Sequence, residues 1–166
     1  MKMKRIEVAG WLLLSLASIV LDQMSKIWID RHFSLHETVG VFSWLQLTYV
    51  RNQGAAFSFL SEAGGWQRWF FVALALSASI AITWQLLQLD SGRRREALGW
   101  SMVLGGAIGN LIDRLAYGYV IDFIDVYHEQ WHWPAFNLAD SAITLGITLL
   151  LVDTLRPGKT PDADGA

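Results

Sequence analysis

Carboxylates embedded in apolar sequence are the residues of this chain best suited to chemistry. Asp122 lies in Val120-Ile121-Asp122-Phe123, and Asp140 lies in Phe136-Asn137-Leu138-Ala139-Asp140. Two carboxylates that share a site cannot both ionise cheaply, so they hold one proton between them. One member can then take a proton from water while the other protonates a leaving group. Structural networks also bury acids, so spacing alone leaves both readings open. Asp22 and Lys26 stand four residues apart with the acid first, which suits a structural ion pair within a helix. Asn110, Asp113 and Arg114 fall within about a 100° arc of one helix and can meet one another. An Asp113–Arg114 pair would serve equally as a structural clamp or as a substrate contact.

Two further constellations suggest metals. His128-Glu129-Gln130-Trp131-His132 has the spacing of a two-histidine zinc motif. That motif needs a helix and a third ligand, yet Pro134 follows at once and neither Glu nor His occurs after His132. Gly118-Tyr119-Val120-Ile121-Asp122 with Asp125 is similar to the Mg²⁺-binding aspartates of membrane phosphatidyltransferases. One spacing is a residue short, and the Asp-Gly-x-x-Ala-Arg head is missing. The expectation is therefore no metal and no cofactor. A metal-dependent membrane enzyme and a small transporter are the competing readings, although a transporter usually carries paired repeats, which this sequence lacks.

The elements that must position these residues follow from composition. The chain has 166 residues, one domain's worth, with 53% hydrophobic and 17% charged residues. Soluble domains carry roughly 25% charged residues, so a water-soluble globule is excluded. A net charge of −2 offers no basic surface for nucleic acid. With no cysteine, the chain has no disulfide scaffold, thiol nucleophile or Cys-based metal site.

Four stretches suit bilayer-spanning helices: Val8–Ile29, Trp69–Leu87, Ala97–Ile112 and Ala135–Val152. The basic N-terminus before the first resembles a secretory signal, but no small-x-small cleavage site follows, so it reads as a retained span. In the third, Ser101, Gly105 and Gly109 recur every four residues, a pattern for close helix packing. In the fourth, Asn137, Asp140, Ser141, Thr144 and Thr148 form one stripe expected to face the bundle interior. Asp140 should sit about 8 Å below the outer end of that span, level with Asp122. Residues 30–65 form an extramembrane segment, where Val39, Val41 and the alternating Leu45–Tyr49 predict strands ending near Asn52-Gln53-Gly54. Residues 113–134 read as polar and Asp-rich, and residues 157–166 as a disordered tail. The expected fold is an all-α membrane protein with four transmembrane helices and a small extramembrane β-sheet between helices 1 and 2.

Five blocks in order carry a family likeness: Asp22-Gln-Met-Ser-Lys26, Asn52-Gln-Gly-Ala-Ala-Phe57, Gly105-Gly-Ala-Ile-Gly-Asn-Leu-Ile-Asp-Arg114, Val120-Ile-Asp-Phe123 and Phe136-Asn-Leu-Ala-Asp140. Together they resemble bacterial lipoprotein signal peptidase, signal peptidase II. The resemblance implies a membrane aspartyl endopeptidase that cuts prolipoproteins before a diacylglyceryl-modified cysteine and is inhibited by globomycin. It implies Asp122 and Asp140 as the catalytic pair. It assigns Asn52, Gly54, Asn110, Arg114 and Asn137 to substrate contact and site support, alongside Asp113, Asp22 and Lys26. The expected partners are the lipid-modified substrate and membrane lipid, with the enzyme acting as a monomer in the bacterial inner membrane.

Basic residues set the expected orientation. Lys2, Lys4, Arg5, Arg93, Arg94, Arg95, Arg156 and Lys159 fall on one side, against Arg31, Arg51, Arg68 and Arg114 on the other. Both termini therefore face the cytoplasm and the acids face outward. Trp28, Trp66, Trp69, Trp131 and Trp133 would mark outer span ends, and Trp11, Trp84 and Trp100 inner ones. Reporter fusions after Arg95 and Pro157 are predicted to read cytoplasm, and fusions near Gly64 and Gln130 the opposite side. An inverted pattern would move both acids away from an exported substrate.

Overall fold

The computed structural model describes residues 2–54 and 65–155. Four helices carry the chain: α1 (Arg5–His32), α2 (Trp66–Gln88), α3 (Arg94–Ala116) and α4 (Leu138–Leu155). Each covers most of an expected span. α1 runs past its apolar stretch at both ends, since charged residues that would not enter lipid still continue a helix. α4 starts three residues later than expected because Pro134 lacks an N–H and Phe136 is taken up by backbone bonds to Ile124. The tail after Pro157 lies outside the described residues, as do residues 55–64.

α1, α2 and α4 are long and apolar enough to cross a membrane. Their large side chains point outward, with Leu13, Ile80 and Leu151 each more than half exposed. α3 differs in kind. It packs against all three other helices, and its buried side combines glycine, serine and polar residues with Ala97, Leu104 and Leu111. Apolar groups face lipid and small groups face protein, as expected where lipid is as apolar as the side chains.

The small residues set how closely the helices approach. A Cβ on Gly105 would lie 2.6 Å from the Ser18 Cβ, and one on Gly109 would lie 2.6 Å from the Asp22 carboxylate. Ser15 Oγ donates to the Ser101 carbonyl at 2.9 Å across the same α1–α3 seam. The Ser101–Gly105–Gly109 pattern is thus a packing face, as expected. On the α3–α4 seam, a Cβ on Gly106 would lie 2.3 Å from the Ala139 carbonyl oxygen, and one on Gly146 would lie 2.6 Å from that of Gly99. Packing here uses Ala139, Ile143, Gly146 and Leu150, which corrects the expectation for the polar stripe. Asn137 is buried, and Ser141 and Thr144 line an open cavity beside Asp140, but Thr148 is exposed. Thr148 satisfies its hydroxyl on the Thr144 carbonyl within the helix, so it needs no interhelical partner.

The sheet is larger than expected. β1 (Thr38–Phe42) and β2 (Leu45–Asn52) form the antiparallel pair expected between α1 and α2. β2 then pairs with β3 (Val120–His128), and β3 with β4 (Trp131–His132), giving the order β1-β2-β3-β4. Half the sheet therefore comes from the segment between α3 and α4, which read as merely polar. Its aspartates masked a run of β-branched and aromatic residues with high strand propensity. Trp131 and Trp133 belong to this hairpin and its exit rather than to a helix end. Ile29 at the end of α1 packs with Tyr49, Ile121 and Phe123, which docks the sheet on the bundle.

The contact at Gly106 yields a prediction. Gly106→Ala must push α4 off α3, at a cost of about 1–3 kcal/mol for overpacking. Gly10→Ala meets open space and should cost nothing beyond the local helix effect. Thermal unfolding of the two variants in detergent provides the comparison, and equal melting temperatures would contradict the packing account.

Candidate active site

Asp122 and Asp140 come together through the ends of their elements. Asp122 is the third residue of β3, beside the end of β2, and Asp140 lies in the first turn of α4. This corrects its expected depth, because the helix begins at Leu138. Asn137 caps the helix: its Oδ1 accepts from the Asp140 N–H at 2.9 Å, while the Asp140 carboxylate accepts from the Asn137 N–H at 3.3 Å. The reciprocal pair is a capping box with asparagine and aspartate in place of the usual serine and glutamate. Asn137 Nδ2 donates at 2.7 Å to Asp122, so one buried amide joins the two acids.

Two more amides complete the frame. Asn52 Nδ2 donates to the other Asp122 oxygen at 2.9 Å, and Asn110 Nδ2 donates to Asp140 at 2.8 Å. The orientation of Asn110 is fixed from behind, because its Oδ1 accepts from Lys26 Nζ at 2.9 Å. Lys26 in turn contacts Asp22 at 2.8 Å and Asp113 at 3.0 Å, with all three side chains about 1% exposed. The expected Asp22–Lys26 pair is present, with Asp113 as its third member. Asp113 therefore turns away from Arg114, so the expected meeting of those two does not occur. Adjacent helix positions point about 100° apart, and Lys26 claims the acid.

This buried cluster reaches three elements. Asp22 accepts from the Ala139 N–H at 2.9 Å, so α1 caps the first turn of α4. Asp113 accepts from the Ile121 N–H at 3.1 Å, one residue before Asp122. Gln23 Nε2 donates to Asp113 at 2.8 Å and to the Gly109 carbonyl at 3.1 Å. Sequence reading passed over Gln23, although an amide beside Asp22 in an apolar span is itself a signal, since polar groups there need partners.

Above the cluster lies a cavity of about 600 Å³ whose lining includes both acids, Asn52, Asn110 and Arg114. Arg114 donates to the Asn110 and Gly54 carbonyls, each at 3.3 Å, and lies over the Phe71 ring. Its apolar walls are Trp133, Pro134 and Phe136 on one side and Ile143 and Leu145 of α4 on the other. Burial, and then the nearby charge of Asp140, push the Asp122 carboxyl up to about 7. Near neutral pH that group can carry a proton.

The metal constellations come apart. Residues 128–132 form a β-hairpin with Glu129 at a positive φ, not a helix. His132 pairs with Tyr127 and His128 with Trp131, so the imidazoles fall on opposite faces. Asp122 and Asp125, three apart on a strand, are likewise on opposite faces.

The signal peptidase II family model, described as "Signal peptidase (SPase) II", matches residues 14–156. The chain belongs to the signal peptidase II family. It is 46% identical over 157 residues to the lipoprotein signal peptidase of Alteromonas mediterranea, covering 94% of this chain and 86% of that one. It is 51% identical over 146 residues to the lipoprotein signal peptidase of Cupriavidus necator, covering 88% and 83%. A solved structure described as a bacterial membrane enzyme superposes with a TM-score of 0.80 at 29% identity, covering 92% and 94%. This family member is an aspartic-type endopeptidase of lipoprotein processing, as its motifs implied.

The buried triad yields a prediction for this signal peptidase. Lys26→Ala leaves two carboxylates buried without a counter-charge, a loss of about 3–5 kcal/mol. Denaturant unfolding in detergent measures it, and a change below about 1 kcal/mol would mean that the triad is not holding the helices together.

Proposed function

We propose that Asp122 and Asp140 are the catalytic pair of a four-span inner-membrane peptidase that cuts prolipoproteins before a diacylglyceryl-modified cysteine. The observation that carries this reading is that both acids line one cavity, with the buried Asn137 amide bonded to the Asp122 carboxylate and to the Asp140 N–H. Three asparagines hold the acids, and none of them can itself titrate. The Asp140 carboxylate takes a proton from water, and the resulting hydroxide adds to the scissile carbonyl carbon. Asp122 gives its proton to the carbonyl oxygen, forming a tetrahedral diol. Collapse breaks the C–N bond as the amide nitrogen receives a proton, and the pair again holds one. Arg114 and Asn52 position the peptide, with the Gly54 carbonyl accepting from Arg114 and its N–H donating to Asn52.

The orientation also belongs to this reading. The Met3 N–H donates to the Leu89 carbonyl, so the N-terminus and the end of α2 share one end of the bundle. With both termini cytoplasmic, the sheet and the acids lie at the outer face, where a lipid-anchored substrate keeps its scissile bond. The side groups of α4 below Asp140 then line a lipid-facing path for acyl chains, each methylene contributing about 0.8 kcal/mol on burial. We read the working unit as a monomer.

Cleavage of a diacylglyceryl-modified peptide tests the assignment. Asp122→Asn and Asp140→Asn should each lose at least about 10²-fold in rate while still folding. His128→Ala and a strong chelator should change nothing, and the unmodified peptide should be cut far more slowly. Full activity in Asp140→Asn would end the aspartyl reading, and inactivation by the chelator would revive a metal.

The pH profile gives a second check. The protonated form of Asp122 is the active one here, and its raised pKa of about 7 places the loss on the alkaline side. The value of kcat/KM should fall as pH rises through about 7 to 8, reported as a property of the pair. A flat profile from about pH 6 to 9 would contradict this assignment of roles.

A further inference from the structure

The histidine left over from the discarded zinc spacing has a partner of its own. His132 Nδ1 lies 2.9 and 3.1 Å from the two carboxylate oxygens of Asp125. A carboxylate can only accept, so Nδ1–H is the donor. Asp125 is nearly buried and also accepts from Gln46 Nε2 of β2 at 2.5 Å. The imidazole stacks on Tyr127, with ring centres 5.4 Å apart and planes 15° apart. One carboxylate therefore ties β4 to β3 and β2.

That tie sits beside a wall of the cavity. β4 pairs through only Tyr127↔His132 and His128↔Trp131, too little to hold a strand by backbone alone. After it the chain makes one bond from the Trp133 N–H to the Val126 carbonyl, then leaves the ladder until Phe136 meets Ile124. Pro134 has no N–H to continue the ladder. The intervening lip, residues 133–136, lines the cavity that holds both acids. Trp133 is 48% exposed, and its ring meets that of Trp131 on β4 edge-on at 6.1 Å.

We propose that His132 is a positioning residue for substrate: through Asp125 it fixes the lip from Trp133 to Phe136 against the apolar part of the bound peptide. This rests on the reading of the cavity as the substrate site. His132 touches neither catalytic acid, so its loss should weaken binding and spare the chemical step.

His132→Phe is the informative variant, because it keeps a ring on Tyr127 and removes the bond to Asp125. With lipid-modified peptide as substrate, KM should rise about fivefold, the scale of one half-exposed charged hydrogen bond, with kcat within about twofold. His132→Asn should restore KM, since its amide nitrogen reaches the place of Nδ1. Asp125→Ala should raise KM alike, and adding His132→Phe to it should bring no further change. An unchanged KM, a fall in kcat alone, or additive effects in the double variant would each overturn the proposal. The catalytic assignment fails separately, through activity retained in Asp140→Asn. The lip is judged on substrate affinity in enzyme with both aspartates intact.

Discussion

Lys26 is a cation removed from water on a helix that otherwise shows apolar side chains to lipid, and two carboxylates of equal burial surround it. Desolvating three charges is expensive, and the geometry offsets that cost only if every remaining lone pair finds a donor. The site follows from meeting this requirement. The second oxygen of Asp22 accepts from Ala139, the Asp113 oxygen that meets Lys26 also accepts from Ile121, and those backbone bonds fix the start of α4 and the strand that carries Asp122. The remaining donor capacity of Lys26 goes to Asn110, and so sets which face of that amide meets Asp140. A helix-to-helix ion cluster thus places two acids that it never touches.

The two acids differ because their supports differ. Asp140 belongs to a capping box, so its carboxylate is committed to backbone and amide donors at a helix start. Asp122 sits on a buried strand, with amides from Asn52 and Asn137 but no buried cation in contact. Burial then favours its neutral form, and the charge of Asp140 pushes the same way. Two chemically identical side chains thus sit in different surroundings, and the asparagines between them carry no charge.

The close approach of α3 to α1 and α4 makes the network possible. A hydrogen bond of 2.8 Å between side chains as short as those of Asn110 and Asp140 requires backbones nearly in contact. Glycines at 105, 106, 109 and 146 supply that approach. The sheet closes the site from outside, fastened by the Ile29–Tyr49–Ile121–Phe123 cluster and by the bond from Tyr49 to Asp30 at the end of α1.

Much of this was legible in one dimension. Helix positions follow from apolar length, the β1–β2 pair from period-two alternation, and the small-residue seam from a spacing of four, because each is a local rule of the backbone. Asp22, Lys26, Asn110, Asn137, Asp122 and Asp140 stood out because polar groups in apolar sequence need partners. The identity of those partners was not legible. Asp113 chose Lys26 over the adjacent Arg114, Thr148 turned away from the interior, and the polar-looking segment after α3 completed the sheet. Pairing between residues 22 and 139, or 52 and 122, depends on which helices touch and at what distance. Sequence alone determined the elements and the chemically capable residues through local periodicity and the cost of burying charge. Tertiary structure decided which carboxylate meets which amide, because hydrogen bonds act over about 3 Å and that distance is set by packing between segments far apart in the chain.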